Sequence, residues 1–115
     1  MPFAAFDIHL KSVEAVLTDD AGAIQLRRNF PATREALEDF ARRHLSSAYR
    51  LALEATFHTW AIAAVLEPFV GEVVVSNPLR TRAIAEAKIK TDRVDASVLV
   101  HLLRLDYLPR VWQPD

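Results

Sequence analysis

At 115 residues, with 51% hydrophobic and 25% charged residues, the chain has the length and balance of one folded domain, which excludes a disordered tail. It has no cysteine, so a disulfide scaffold and a cysteine zinc site are both excluded, and a reducing, cytoplasmic setting is expected. No apolar run nears the roughly 18 residues that cross a membrane, the N-terminus is no signal peptide, and a net charge of −1 gives no bulk attraction to nucleic acid.

Phe3 to Leu10 is apolar apart from Asp7 and His9 and reads as a strand, central in its sheet because both faces are apolar. Ser12 to Thr18 alternates, with Val13, Ala15 and Leu17 on one side and Ser12, Glu14 and Thr18 on the other, the pattern of a half-exposed strand. Asp19, Asp20, Ala21 and Gly22 make a turn, and Ala23 to Asn29 alternates again, which completes an antiparallel meander.

The period then changes. Thr33 is a helix cap, and Leu37, Phe40, Ala41 and His44 follow at helical spacing, with Glu38, Asp39, Arg42 and Arg43 on the opposite face. Tyr49 to Ala55 is a short apolar run ending in Glu54, as in a buried parallel strand. Thr59 to Leu66 is an almost wholly apolar helix stopped by Pro68, and Gly71 to Ser76 is a second buried strand. Asn77 caps and Pro78 opens a helix to about Ala87. Thr91 opens the last helix, through about Leu105, which Pro109 cannot continue.

The order βββαβαβαα gives an α/β fold: a five-stranded mixed sheet flanked by helices, with right-handed crossovers between the parallel strands. This is the element order of a ribonuclease H-like fold. In that plan Asp7, in the first strand, Glu54, ending the fourth, and the pair Asp92 and Asp95, opening the last helix, converge on one edge of the sheet. Ligand sites in such sheets lie beyond the carboxyl ends of parallel strands. Each acid has a plainer explanation alone: an exposed strand end or an arginine partner for Asp7, an exposed strand end for Glu54, and a helix-dipole preference for Asp92 and Asp95. Residues three apart share a helix face, however, so the last two would point one way. Four carboxylates so close repel unless cations sit between them, and oxygen ligands select Mg²⁺ or Mn²⁺. Two such ions about 3.5–4 Å apart support in-line attack on a phosphodiester.

Five cations, Arg80, Arg82, Lys88, Lys90 and Arg93, surround the acid pair. They form either a solvated helix face or a set of phosphate contacts, with Lys90 and Arg93 foremost in the second reading. His9, on the same face as Asp7, is expected to pack or to support the site, since imidazole suits softer metals. His44 and His58 are read as partly buried, His101 as structural, and Trp60 and Trp112 as core and terminal packing. No serine has a visible histidine and aspartate relay, so no nucleophile is assigned.

The segments Asp7-Ile8-His9, Leu53-Glu54-Ala55-Thr56, Val75-Ser76-Asn77-Pro78, Lys90-Thr91-Asp92-Arg93-Val94-Asp95-Ala96 and Leu108-Pro109 occur together and in this order. In them the chain resembles the N-terminal, RuvC-like domain of the DEDD-type insertion-sequence transposases, the bridge-RNA-guided DNA recombinases of bacterial mobile elements. The run Lys90 to Ala96 is the most specific, and the likeness covers nearly all of residues 1–115. It departs where the family has Gly shortly before the first Asp (here Ala4, Ala5 and Phe6), Lys directly after His (here Leu10), and Gly after the Glu54 segment (here Phe57).

The resemblance implies a metal-dependent nuclease or recombinase domain acting in DNA transposition. Asp7, Glu54, Asp92 and Asp95 would be its catalytic, metal-binding acids, with two Mg²⁺ (or Mn²⁺) ions. It further implies DNA as partner through Lys90, Arg93, Arg80 and Arg82, a guide RNA in the full-length protein, and a homo-oligomer. The family's C-terminal, serine-bearing domain is expected to be missing from residues 1–115. Two alternatives stand beside this reading: an inactive RNA-binding or oligomerisation module left as a relic, and a sugar kinase or ATPase of the related actin-like fold. The second needs Gly-rich turns for its phosphates, and the chain has two glycines.

Overall fold

The computed structural model describes residues 1–56 and 58–111. The elements are β1 (Phe3–Ile8), β2 (Ser12–Thr18), β3 (Ile24–Pro31), α1 (Arg34–His44), β4 (Arg50–Glu54), α2 (Thr59–Leu66), β5 (Glu72–Ser76), α3 (Pro78–Lys88) and α4 (Ala96–Arg104), with a 3₁₀ turn at Glu67–Phe69 after α2. The five strands form one sheet in the order β3-β2-β1-β4-β5. β1 pairs antiparallel with β2 and parallel with β4, so it is the central strand.

The element order matches the sequence reading, and so do the caps of α1 and α3. Thr33 accepts a hydrogen bond from the Ala36 N–H at 3.2 Å, and Asn77 accepts one from the Arg80 N–H at 3.0 Å. Each satisfies a donor that the first helical turn would leave orphaned. Gly22 stands at φ 91 in the β2–β3 turn, a conformation that side chains rarely adopt.

The period of two along the strands divides the core into two layers. On one side, Ala4, Phe6, Val13, Ala15, Leu17, Leu51 and Leu53 pack against Leu37, Phe40 and Ala41 of α1 and Ala63 and Leu66 of α2. Phe6 sits edge-on to Phe30 and Phe40, with ring centroids 5.8 and 5.5 Å away. On the other side, Phe3, Ala5, Val16, Ala52 and Val74 are covered by Ala96, Leu99, Val100 and Leu103 of α4.

That second layer corrects one expectation. β2 is not half-exposed: α4 reaches across β1 to it, and Thr18 is only 3% exposed. Local alternation shows which residues share a face; whether a helix covers that face is decided by packing from 80 residues further along. Two smaller readings also change. His58 is exposed, and Trp60, at 38% exposure, lies outside the core. Trp112 falls outside the described residues.

Candidate active site

Along β1 the residues facing α4 are Phe3, Ala5 and then Asp7; along β4 they are Ala52 and then Glu54. Both faces begin apolar beneath the helix and turn acidic at their last position. The β1–β4 ladder ends at Phe6 opposite Leu53, so the next step along each strand sets Asp7 beside Glu54. The hairpin after Asp7 is closed by the His9 N–H donating to the Ser12 carbonyl at 2.8 Å. The loop after Glu54 is held by Thr59, whose buried hydroxyl donates to the Glu54 carbonyl at 3.1 Å and accepts from the Thr56 N–H. Both acids therefore stand on braced backbone.

Asp95 is supplied by α4. It is the N-cap of that helix, its Oδ1 accepting from the Val98 N–H at 3.0 Å and the Ser97 hydroxyl at 2.8 Å. Its other oxygen is free of protein hydrogen bonds among the described residues. Because α4 lies on the face where Asp7 and Glu54 emerge, its N-terminus brings a third carboxylate to the same edge.

Asp92 is placed differently from the sequence expectation. The last helix begins at Ala96, not Thr91. Thr91 spends its hydroxyl in a local turn, accepting from the Arg93 N–H at 3.2 Å, after Lys90 has taken φ 66. Asp92 and Asp95 thus share no helix face, and Asp92 is exposed in the loop ahead of the cap.

The electrostatics record the crowding. Burial pushes the Asp7 carboxyl above its ordinary value; His9, whose Nε2 is 3.2 Å from Asp7 Oδ2, pulls it back, and the charges of Glu14 and Asp95 push it up again. Burial also raises Glu54, with the Asp7 charge adding to the rise and Arg82 opposing it. For Asp95, burial acts upward but is outweighed by the hydrogen bonds from Val98 and Ser97 and by the Arg93 charge, so its carboxyl sits below the ordinary value. Asp7 therefore feels Asp95 directly, and Glu54 feels Asp7.

Among the described residues, no three acids or histidines are close enough to form a closed metal cage. The donor chemistry is nonetheless that of a hard divalent cation: three carboxylates from three separate elements, with Asp7 repelled by both of the others, and with the Oγ of fully buried Ser76, beside Glu54 in the sheet, unpartnered among the described residues.

Glu14 was missed by sequence reasoning as a member of this group. It lies directly opposite Asp7 in the β1–β2 ladder and faces the same way. The available signal was its even spacing from Val16, but that face was read as solvent.

Arg80, Arg82, Lys90 and Arg93 are exposed, and none is in an ion pair among the described residues. Arg82 and Arg93 are close enough to act on Glu54 and Asp95. Lys88 instead lies over the Tyr107 ring, 5.5 Å from its centroid. Beyond α4 the chain returns along the edge of β5, where the Val111 N–H donates to the Val75 carbonyl at 2.8 Å. Arg110 reaches Glu72 at 2.9 Å.

Comparison with known proteins bears on the family and the fold. Residues 4–115 match the IS110-type DEDD family, described as a transposase. Among solved structures, T. thermophilus RuvC in complex with a Holliday junction substrate superposes with a TM-score of 0.52 at 8% identity, over 96% of this chain and 99% of that one. A ROK hexokinase from Thermus thermophilus gives 0.54 at 18% identity, over 80% of this chain and 39% of that one. The inorganic polyphosphate/ATP-glucomannokinase from Arthrobacter sp. strain KM gives 0.50 at 19% identity, over 80% and 50%. The chain thus spans well under two thirds of either kinase, and at these identities all three likenesses concern the fold. No curated protein sequence matches the chain.

Proposed function

The chain belongs to the IS110-type DEDD transposase family, and on that premise we propose that it is a metal-dependent nuclease domain acting on DNA strands in transposition. The observation that carries this reading is the meeting of Asp7, Glu54 and Asp95 on the α4 face of one sheet edge, with Asp7 coupled electrostatically to both other acids. Mg²⁺ or Mn²⁺ would be held by these three with Asp92, which its loop leaves exposed at the same helix end. When bound, a pair of such ions supplies charge stabilisation to the attacking and leaving oxygens of a phosphodiester.

The chain's own residues do the rest. β1 and β4 fix two carboxylates on packed strands, and the α4 cap fixes a third, which keeps their separation set by the scaffold. Ala5, Ala52 and Ala96 seal the layer beneath them from water. Arg82 and Arg93, beside the acids, and Arg80 and Lys90, on the same α3–α4 segment, offer charge to a DNA backbone without reading its bases. A guide RNA and assembly into a homo-oligomer go with the recombinase reading, in which strand exchange needs a serine nucleophile besides these acids.

The shared fold of the two kinases does not favour a phosphotransfer reading. The hairpin at the acidic edge, His9-Leu10-Lys11, has no glycine. Gly22 and Gly71 both lie at the opposite end of the sheet, in the β2–β3 turn and before β5. Backbone N–H groups therefore lack the open turn that cradles nucleotide phosphates.

The test is thermal unfolding with and without Mg²⁺. The wild-type midpoint is expected to rise with the ion, and Asp7→Asn to abolish the rise. An identical response from both proteins would remove the metal site.

A further inference from the structure

We propose that the cavity on the α1 and α2 side of the strand ends takes an unpaired nucleobase of the strand held at the acids. This rests on the nucleic-acid reading above and names where one of its bases goes.

The cavity has a volume of about 520 Å³, within the roughly 300–1,000 Å³ of small-molecule sites. Ile8, Leu37, Ile62 and Val65 form its apolar walls. It lies beyond the carboxyl ends of β1 and β4, where sheets of this kind bind ligands. Asp7 and Ile8 are adjacent in β1 and face opposite ways, so the acids and the cavity are two sides of one strand end. His9 joins them: it lines the cavity, and its Nε2 is 3.2 Å from Asp7 Oδ2. Thr56, also in the lining, comes two residues after Glu54. A strand held at the acids therefore passes the mouth of the cavity.

The rim indicates what enters. Its polar side chains are His9, Arg34, Thr56 and His58, with no carboxylate in the lining among the described residues. Arg34 is largely exposed and meets only Glu38, at 3.5 Å, among the described residues. Lys11 follows on the hairpin, exposed and without an ion pair among the described residues. This charge complements the phosphates that flank a base. Leu10 stands between His9 and Lys11 at 89% exposure. An apolar side chain so placed acts as a wedge that parts neighbouring bases. A nucleobase has apolar faces and a polar rim, which suits apolar walls with few polar groups. Imidazoles such as His9 and His58 offer flat surfaces for stacking, and an unpaired strand presents its bases without the cost of opening a duplex.

The experiment compares binding of a short, labelled oligothymidylate with that of an abasic oligonucleotide of equal length, by fluorescence anisotropy in chelator and in Mg²⁺. Wild type should prefer the strand with bases by about tenfold, the scale of one stacked base. Ala61→Phe, which fills the cavity from an exposed position of α2, should lose this preference, keep its affinity for the abasic strand, and keep the wild-type thermal response to Mg²⁺. Leu10→Ala, at a hairpin position that carries no packing, should reduce the preference in the same way and decides the matter if Ala61→Phe does not fold. Equal affinity of wild type for the two strands, or a full preference in both variants, would leave the cavity to a protein segment and overturn the inference, while DNA binding at the acids stands. Failure of wild type to bind either strand in either condition would remove the nucleic-acid reading and this inference together.

Discussion

The two faces of the sheet are built from the same five strands and end differently. On the α1 and α2 side, apolar residues continue to the strand ends, with Phe6 locked between Phe30 and Phe40 and Leu53 fully buried. On the α4 side, one short helix covers an apolar layer rich in small residues, and towards the edge the face turns polar at Asp7, Glu14 and Glu54. Adjacent residues of one strand, Phe6 and Asp7, thus serve opposite ends. One face supplies the stability that lets the other hold repelling charges in place.

The largest effect that would sharpen this contrast is at Phe6. Phe6→Ala should lose about 3–5 kcal/mol in urea denaturation, by the same amount with and without Mg²⁺, because the ring faces away from the acids. Asp7→Asn should do the reverse. In chelator it should be at least as stable as wild type, since a repelling charge is gone. In Mg²⁺ it should lack the stabilisation that wild type gains, about 2.7 kcal/mol for one ion at 100 times its dissociation constant. A loss in chelator comparable to that of Phe6→Ala would show that Asp7 belongs to the scaffold.

The two helix caps offer a finer comparison. Thr33→Ala and Asp95→Ala each remove a capping acceptor and should cost about 1 kcal/mol in chelator. Only Asp95→Ala should also weaken the response to Mg²⁺. Equal Mg²⁺ responses from the two variants would mean that Asp95 is a cap and nothing else.

The smallest effect is a pH dependence. Asp7 and Glu54 have carboxyls raised above their ordinary values of 3.8 and 4.5, chiefly by burial. The folded state then binds protons more readily than the unfolded one, so in chelator their contribution to stability improves as pH falls through the raised values. Asp95, lowered from 3.8, opposes this only below that value. In Mg²⁺ the sign changes, because protons compete with the ion for the same two carboxylates. Unfolding midpoints measured on descending from neutral pH should therefore converge in the two conditions. Parallel curves would separate the acids from the ion.

The fold was largely legible because its signals are local. Period-two alternation marks the strands, and Thr33 and Asn77 mark helix starts through side chains that reach backbone N–H groups three residues on. The site was legible in part. Asp7 and Glu54 close apolar runs, and a parallel sheet brings such ends together. The start of the last helix was not, because Thr91 and Asp95 are both competent caps, and the choice depends on the left-handed turn at Lys90 and the burial of Ala96. Glu14 was hidden for a longer-range reason. Only the return of α4 over β2 makes its face an interior one.

The claim that cations gather Asp7, Glu54 and Asp95 can be read directly from amide NMR spectra titrated with paramagnetic Mn²⁺ at substoichiometric levels. Broadening should appear first around residues 6–9, 53–56 and 94–97, with residue 14 among them, and should be absent from these regions in Asp7→Asn. Broadening centred elsewhere, or spread evenly over exposed acids such as Asp20 and Glu35, would contradict a metal site at this edge.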